Sequence, residues 1–230
     1  MQEQLFIYHG SEIILPQPIY GAGRKNNDFG IGFYCTQQKE LAKEWAVSQN
    51  KNGYCNCYSL NAKYLNILNL NTSEYSILNW IAILVEHRLF SLNNPIARRA
   101  KRYLVDHFSV NVNAYDVIIG YRADDSYFDY AESFLNNSIT VEQLAFAMKL
   151  GKLGEQVVLK SSFAFDQLSF QNAEVAIAEK YFTLKKERND SANKLYFQML
   201  ENETNGLYIQ DIIRQKVQND DPRIPRNISQ

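Results

Sequence analysis

The stretch Asp28–Thr36, "DFGIGFYCT", decides how the chain is read. Gly30, Gly32, Phe33 and Tyr34 crowd into a segment that runs straight into "QQKELAKEWA", Gln37–Ala46. In the second segment Leu41, Ala42, Trp45 and Ala46 recur at helical spacing, with Thr36 as the expected N-cap. The first segment is therefore either a turn into a helix or the wall of a binding site. The rest of the chain has to decide between them.

On the N-terminal side, Leu5–Tyr8 of "LFIYHGS" reads as a short strand running into a polar turn, and "GFYC" as a second strand. On the C-terminal side, "GYCNCYSL" (Gly53–Leu60) and "LNILNL" read as strands. A long buried helix follows in "TSEYSILNWIAILVEHRLF", with Thr72 or Ser73 as the expected cap. Pro95 in "PIARRAKRYLVDHF" sits in the first turn of another helix, where its missing N–H costs nothing. "YDVIIGYR" reads as a buried strand, "SYFDYAESFLN" and "TVEQLAFAMKL" as helices, and "GEQVVLKS" as a strand entered through Gly151 and Gly154. "FQNAEVAIAEKYF" reads as one more strand, followed by the charged helix "KKERNDSANKLYFQMLEN", a short "LYIQDIIRQKV" and a loose polar tail "QNDDPRIPRNISQ". Short strands with helices inserted in blocks point to an α+β class rather than a doubly wound parallel sheet.

The 230 residues, 46% of them hydrophobic, suffice for one compact domain with an appended tail. With 24 basic and 25 acidic residues the net charge is −1, so no global field draws the chain to nucleic acid or an anionic membrane. "ARRAKR", Ala97–Arg102, is either a local nucleic-acid contact or one solvated helix face. No apolar run reaches transmembrane length and the opening residues lack an export pattern, so no membrane partner is expected. Cys35, Cys55 and Cys57 form neither a disulfide framework nor a zinc site, which fits a cytoplasmic location. Gly21 and Gly23 are followed by Asn26 where a dinucleotide fingerprint requires glycine, and no Walker pattern occurs.

Taken alone, the candidate chemical residues leave alternatives open. His87 and His107 read as helix-surface residues. His9 ends a strand beside Gly10 and Ser11, and is either a satisfied strand-end histidine or a ligand contact. Cys35 has no patterned base near it and reads as packing. Glu155 opens an otherwise apolar strand and by itself reads as a solvated carboxylate.

Taken together, "YHGS", "GIGFYCT" and "GEQVVL" follow the order of the His-Tyr-Glu signature, and the chain resembles ADP-ribosyltransferases of the diphtheria-toxin and poly-ADP-ribose-polymerase type. The matching residues are His9, Tyr34 and Glu155. The aromatic that this family places eleven positions after the tyrosine is Trp45 here. The segments "IYHGS", "GRKNNDFGIGFYCT", "AKEWA", "GYRADDSYF" and "MKLGKLGEQVVLKS" resemble, more narrowly, the bacterial DUF3990 family.

The resemblance implies a split, mainly antiparallel sheet with inserted helices over residues 1–182, and a C-terminal helical extension and tail over 183–230. It implies an enzyme that uses NAD as co-substrate without a metal and transfers ADP-ribose to a protein or nucleic-acid acceptor. A toxin setting with an antitoxin partner, or a role in conflict with phage, is implied too. NAD hydrolysis and a silent NAD- or partner-binding module are the alternatives. Glu155 would stabilise the oxocarbenium-like state, His9 would orient a ribose hydroxyl, the Gly10 backbone would pair with the nicotinamide amide, and Tyr34 and Trp45 would clamp the ring. Gly32 would let the backbone pass close to the cofactor.

Arg24 and Arg122 would bind the pyrophosphate. Otherwise Arg24 is a solvated loop charge, and Arg122 pairs with Asp124 or Asp125. The chain departs from the family at Ala42, where polymerase-like members carry a carboxamide-binding serine, so Ser11 or a backbone group would serve instead. It departs again at Leu153, where arginine-modifying toxins carry a second acidic or amide residue, which disfavours arginine as the acceptor.

Overall fold

The computed structural model describes residues 3–123, 125–150, 154–202 and 205–226, without the side chains of 125 and 126. Its elements run β1 (Gln4–Ser11), β2 (Phe33–Thr36), α1 (Lys39–Ala46), β3 (Gly53–Asn61), β4 (Ile67–Asn69), α2 (Ile77–His87), α3 (Pro95–Phe108) and β5 (Val117–Tyr121). There follow α4 (Asp125–Leu135), α5 (Val141–Ala147), β6 (Glu155–Leu159), α6 (Ser162–Asp166), β7 (Leu168–Ala176), α7 (Ala178–Leu200) and α8 (Ile209–Arg214). The strands form one seven-stranded sheet in the order β4-β5-β6-β2-β1-β3-β7. Every neighbouring pair is antiparallel except β4 and β5, which run parallel.

Both faces of the β5–β6 half are covered, which is why "VIIG" and "QVVL" are apolar without alternation. Ile118 and Val158 enter a large core with α2, α3, α4, α5 and α8, in which Trp80, Phe108 and Phe134 are fully buried. Val117, Ile119, Val157 and Leu159 point the other way, into a smaller core with Ile7, Phe33, Cys35 and Tyr58. On the β1–β3 half, α1 lies directly on the strands. A Cβ at Gly10 would stand 2.0 Å from the Ala42 carbonyl oxygen, so only glycine lets helix and strand approach this closely.

Several boundaries differ from the sequence reading, each for a local reason. Helix α1 is capped at Gln38, not Thr36, whose hydroxyl instead accepts from the Gln38 N–H at 3.1 Å. Helix α2 starts after Ser76 rather than at Thr72 or Ser73, because Ser76 and Asn79 form a capping box, with Asn79 Oδ1 accepting from the Ser76 N–H at 2.8 Å. Strand β7 stops at Ala176, where its partner β3 runs out at Gly53, and "AEKYF" becomes the first turns of α7. Helix α6, capped by Ser161, was not foreseen.

The C-terminal extension shares the large core: Tyr196, Ile209, Ile212, Ile213, Val217 and Ile224 are all buried in it. Of the stretch expected as a loose tail, the described part up to residue 226 is pinned by Ile224, 2% exposed, and by a bridge between Ser76 and Arg226. Among the described residues no helix is long and apolar enough to cross a membrane.

Candidate functional site

Strands β1 and β2 share only one residue pair, Tyr8 with Thr36. Beyond it they part, and a cleft of about 730 Å³ opens there, a volume typical of small-molecule sites. His9 crosses the parting, its Nδ1 lying 2.7 Å from the Tyr34 carbonyl oxygen and its ring centroid 4.5 Å from that of Phe33. A carbonyl can only accept, so Nδ1 carries the proton. Burial pushes the His9 pKa down, against the raising effect of that bond. The ring is thus neutral near pH 7, and Nε2 offers a lone pair to a ligand hydroxyl.

Tyr34 is fixed by its hydroxyl, which donates to the Gly30 carbonyl at 2.7 Å and accepts from the Phe29 N–H at 3.0 Å. Burial raises its pKa far above the usual tyrosine value. The phenol is committed to this turn, so what it offers the cleft is a ring rather than a proton. The turn is held from behind by Lys160, whose ammonium donates to the carbonyls of Phe29 and Ile31 at 2.6 and 2.8 Å. The preceding loop folds onto it closely, since a Cβ on Gly23 would lie 2.5 Å from the Gly32 carbonyl oxygen.

Trp45 lines the cleft near the end of α1, and the Arg122 guanidinium stands 4.3 Å from its ring centroid. A planar cation over an indole face is a favourable contact. The side chains of Asp124 and Asp125, expected as alternative partners for Arg122, lie outside the described residues. Arg24 is exposed at the cleft mouth, and Arg88 follows the last residue of α2. Three guanidinium groups and one buried carboxylate, Asp28, therefore line the cleft, a balance that suits an anionic ligand.

Asp28 is 5% exposed. Its Oδ2 accepts from the Ala123 N–H at 2.9 Å and from Gln156 Nε2 at 2.8 Å, and Arg88 Nη1 lies 3.6 Å from Oδ1. Burial raises its pKa, and these partners with Arg122 oppose the rise. Gln156 is the residue through which β6 reaches the cleft.

The cleft therefore gathers His9, Gly10, Arg24, Gly32, Tyr34, Trp45 and Arg122 from the residues singled out in the sequence. It does not gather Ser11 or Glu155. The Ser11 hydroxyl donates to the Ile13 carbonyl and accepts from Asn56 Nδ2 at 3.0 Å, closing the turn after β1. Glu155, half-buried opposite Tyr121, immediately precedes the cleft-lining Gln156 and is not itself among the lining residues. Asp28, Arg88 and Gln156 were not foreseen. Cys35 is wholly buried and its thiol pKa is raised, the wrong direction for a nucleophile. Among the described residues no group of three or more His, Cys, Asp or Glu could hold a metal ion.

The family model described as "Protein of unknown function (DUF3990)" matches residues 5–170. The chain belongs to the DUF3990 family. No curated protein and no solved structure matches it. In this DUF3990 chain the matched segment covers every strand in part or whole and all the cleft residues named above, and it ends before α7. Helix α7 nonetheless supports the site. Arg188 Nη2 lies 2.6 Å from Glu44 Oε2, and the Tyr181 hydroxyl donates to Glu40 Oε2 at 2.8 Å, both on the helix that carries Trp45.

Proposed function

We propose that the cleft binds NAD in an ADP-ribosyltransferase-like fold and that the protein transfers ADP-ribose from it to a macromolecular acceptor, a protein or a nucleic acid. The observation that carries this reading is the parting of β1 from β2, which sets His9, the Trp45–Arg122 pair and the arginines around one cavity. A cationic nicotinamide is planar like the guanidinium now over Trp45, and that indole face, with the Tyr34 ring, suits it. Arg24, Arg88 and Arg122 suit the pyrophosphate, and His9 Nε2 a ribose hydroxyl.

In the proposed reaction the bond from the ribose anomeric carbon to the nicotinamide nitrogen breaks, and its electron pair leaves on neutral nicotinamide. The acceptor nucleophile then bonds to that carbon and gives up its proton. Glu155 is the proposed carboxylate for the developing positive charge. A cytoplasmic toxin opposed by an antitoxin is the setting we propose.

One observation favours a second reading. Glu155 lies outside the cleft lining while Gln156 lies within it, as in a module that binds NAD without turning it over. Incubation with labelled NAD and cell lysate separates the readings: label on protein or nucleic acid supports transfer, free ADP-ribose supports hydrolysis, and intact NAD supports the binding module. Under the transfer reading Glu155→Ala abolishes labelling, and unchanged labelling would remove Glu155 from the mechanism.

A further inference from the structure

Gln156 is 2% exposed yet lines the cleft. Its Nε2 spends both protons inside the protein, one on Asp28 Oδ2 at 2.8 Å and one on the Tyr121 carbonyl at 3.0 Å. A backbone carbonyl cannot donate, so the orientation of the amide is fixed by its partners and Oε1 points away from both. Among the described residues no protein group donates to Oε1. Oε1 is not one of the fully buried polar atoms lacking a partner, so this cleft-lining carbonyl stands at the accessible surface as an acceptor open to a ligand's donor. The same Asp28 oxygen also holds the Ala123 N–H, one residue from the Arg122 guanidinium over Trp45. The locked carbonyl is thus tied to the aromatic seat through one carboxylate.

We infer that Gln156, oriented by Asp28, is a carboxamide-reading subsite whose Oε1 accepts a hydrogen bond from the nicotinamide amide N–H. The inference rests on the NAD reading of the cleft. It gives β6 a recognition role separate from any role of Glu155. Gln156 touches the ligand, whereas Asp28 acts through Gln156 and is a positioning residue.

The test uses two probes, NAD and its 3-acetylpyridine analogue, in which a methyl replaces the amide NH2, with ADP-ribose as the common control. Calorimetric titration of the wild-type chain is expected to show NAD binding about tenfold more tightly than the analogue, the value of roughly one neutral hydrogen bond. Gln156→Ala and the closer-sized Gln156→Met are expected to bind both dinucleotides alike, with ADP-ribose affinity unchanged. Asp28→Ala is expected to lose the discrimination, and Asp28→Asn, which retains an acceptor for Nε2, to keep it. Discrimination that survives in the Gln156 variants, or is missing from the wild type, overturns the subsite while leaving NAD binding intact. A wild-type chain that binds neither dinucleotide overturns the NAD reading and the subsite together.

Discussion

Burial pushes two of the titratable groups lining the cleft toward neutrality from opposite directions. Asp28 is raised above its ordinary 3.8 and His9 lowered below its ordinary 6.5. For Asp28 the sign follows from linkage: the folded state holds the proton more tightly, so the contribution to stability is full below pH 3.8 and is lost as pH rises through the folded value. The contribution of Asp28 is therefore smaller at pH 7 than near pH 4. Asp28→Asn is predicted to raise Tm at pH 7, with the gain shrinking as the pH approaches 4. A lower Tm at pH 7 would mean that Arg88 and the two N–H donors outweigh burial. His9 acts the other way, stabilising fully above pH 6.5 and losing that contribution as pH falls through its folded value. Residues such as His9, Tyr34 and Trp45 were legible because each sits in a short run whose composition is unusual. Asp28 was not, since an aspartate before glycine reads as a turn former, nor was Gln156, whose role depends on which face of β6 it occupies.

At the scale of elements, the site depends on α1 pressing Trp45 against the start of the parting. Gly10 permits this, because any side chain there meets the Ala42 carbonyl at 2.0 Å and the Ala46 N at 2.7 Å. Gly10→Ala is predicted to cost about 1–3 kcal/mol in chemical denaturation, with the Trp45 fluorescence altered in the folded protein. A variant as stable as wild type would show that α1 is not clamped. Strand and helix identities followed from apolar spacing, whereas their ends did not. The caps at Gln38 and Ser76 were decided by hydrogen bonds between neighbouring residues, and the end of β7 by the length of β3. The parallel pairing of β4 with β5 was likewise invisible in spacing alone, because register belongs to the assembled sheet.

For the whole molecule, the family-matched segment ends at residue 170, but the large core does not. Ile209, Ile212, Ile213, Val217 and Ile224 complete it, and each buried aliphatic contributes about 1.5–3 kcal/mol. Their sum is comparable with a typical domain's entire stability of about 5–15 kcal/mol. A chain ending at residue 182 is therefore predicted to lack a cooperative melt, and a sharp transition would show that the first core closes without the extension. Helix α7 also supports α1, through Arg188 and Tyr181. Fold and cleft thus form one unit, and the account's central claim is that this unit binds NAD against Trp45. Calorimetric titration of NAD into the full chain and into Trp45→Ala tests it most directly. The account predicts one NAD per chain, with affinity about tenfold weaker in the variant. No binding to the wild type, or equal affinity in the two proteins, would contradict it.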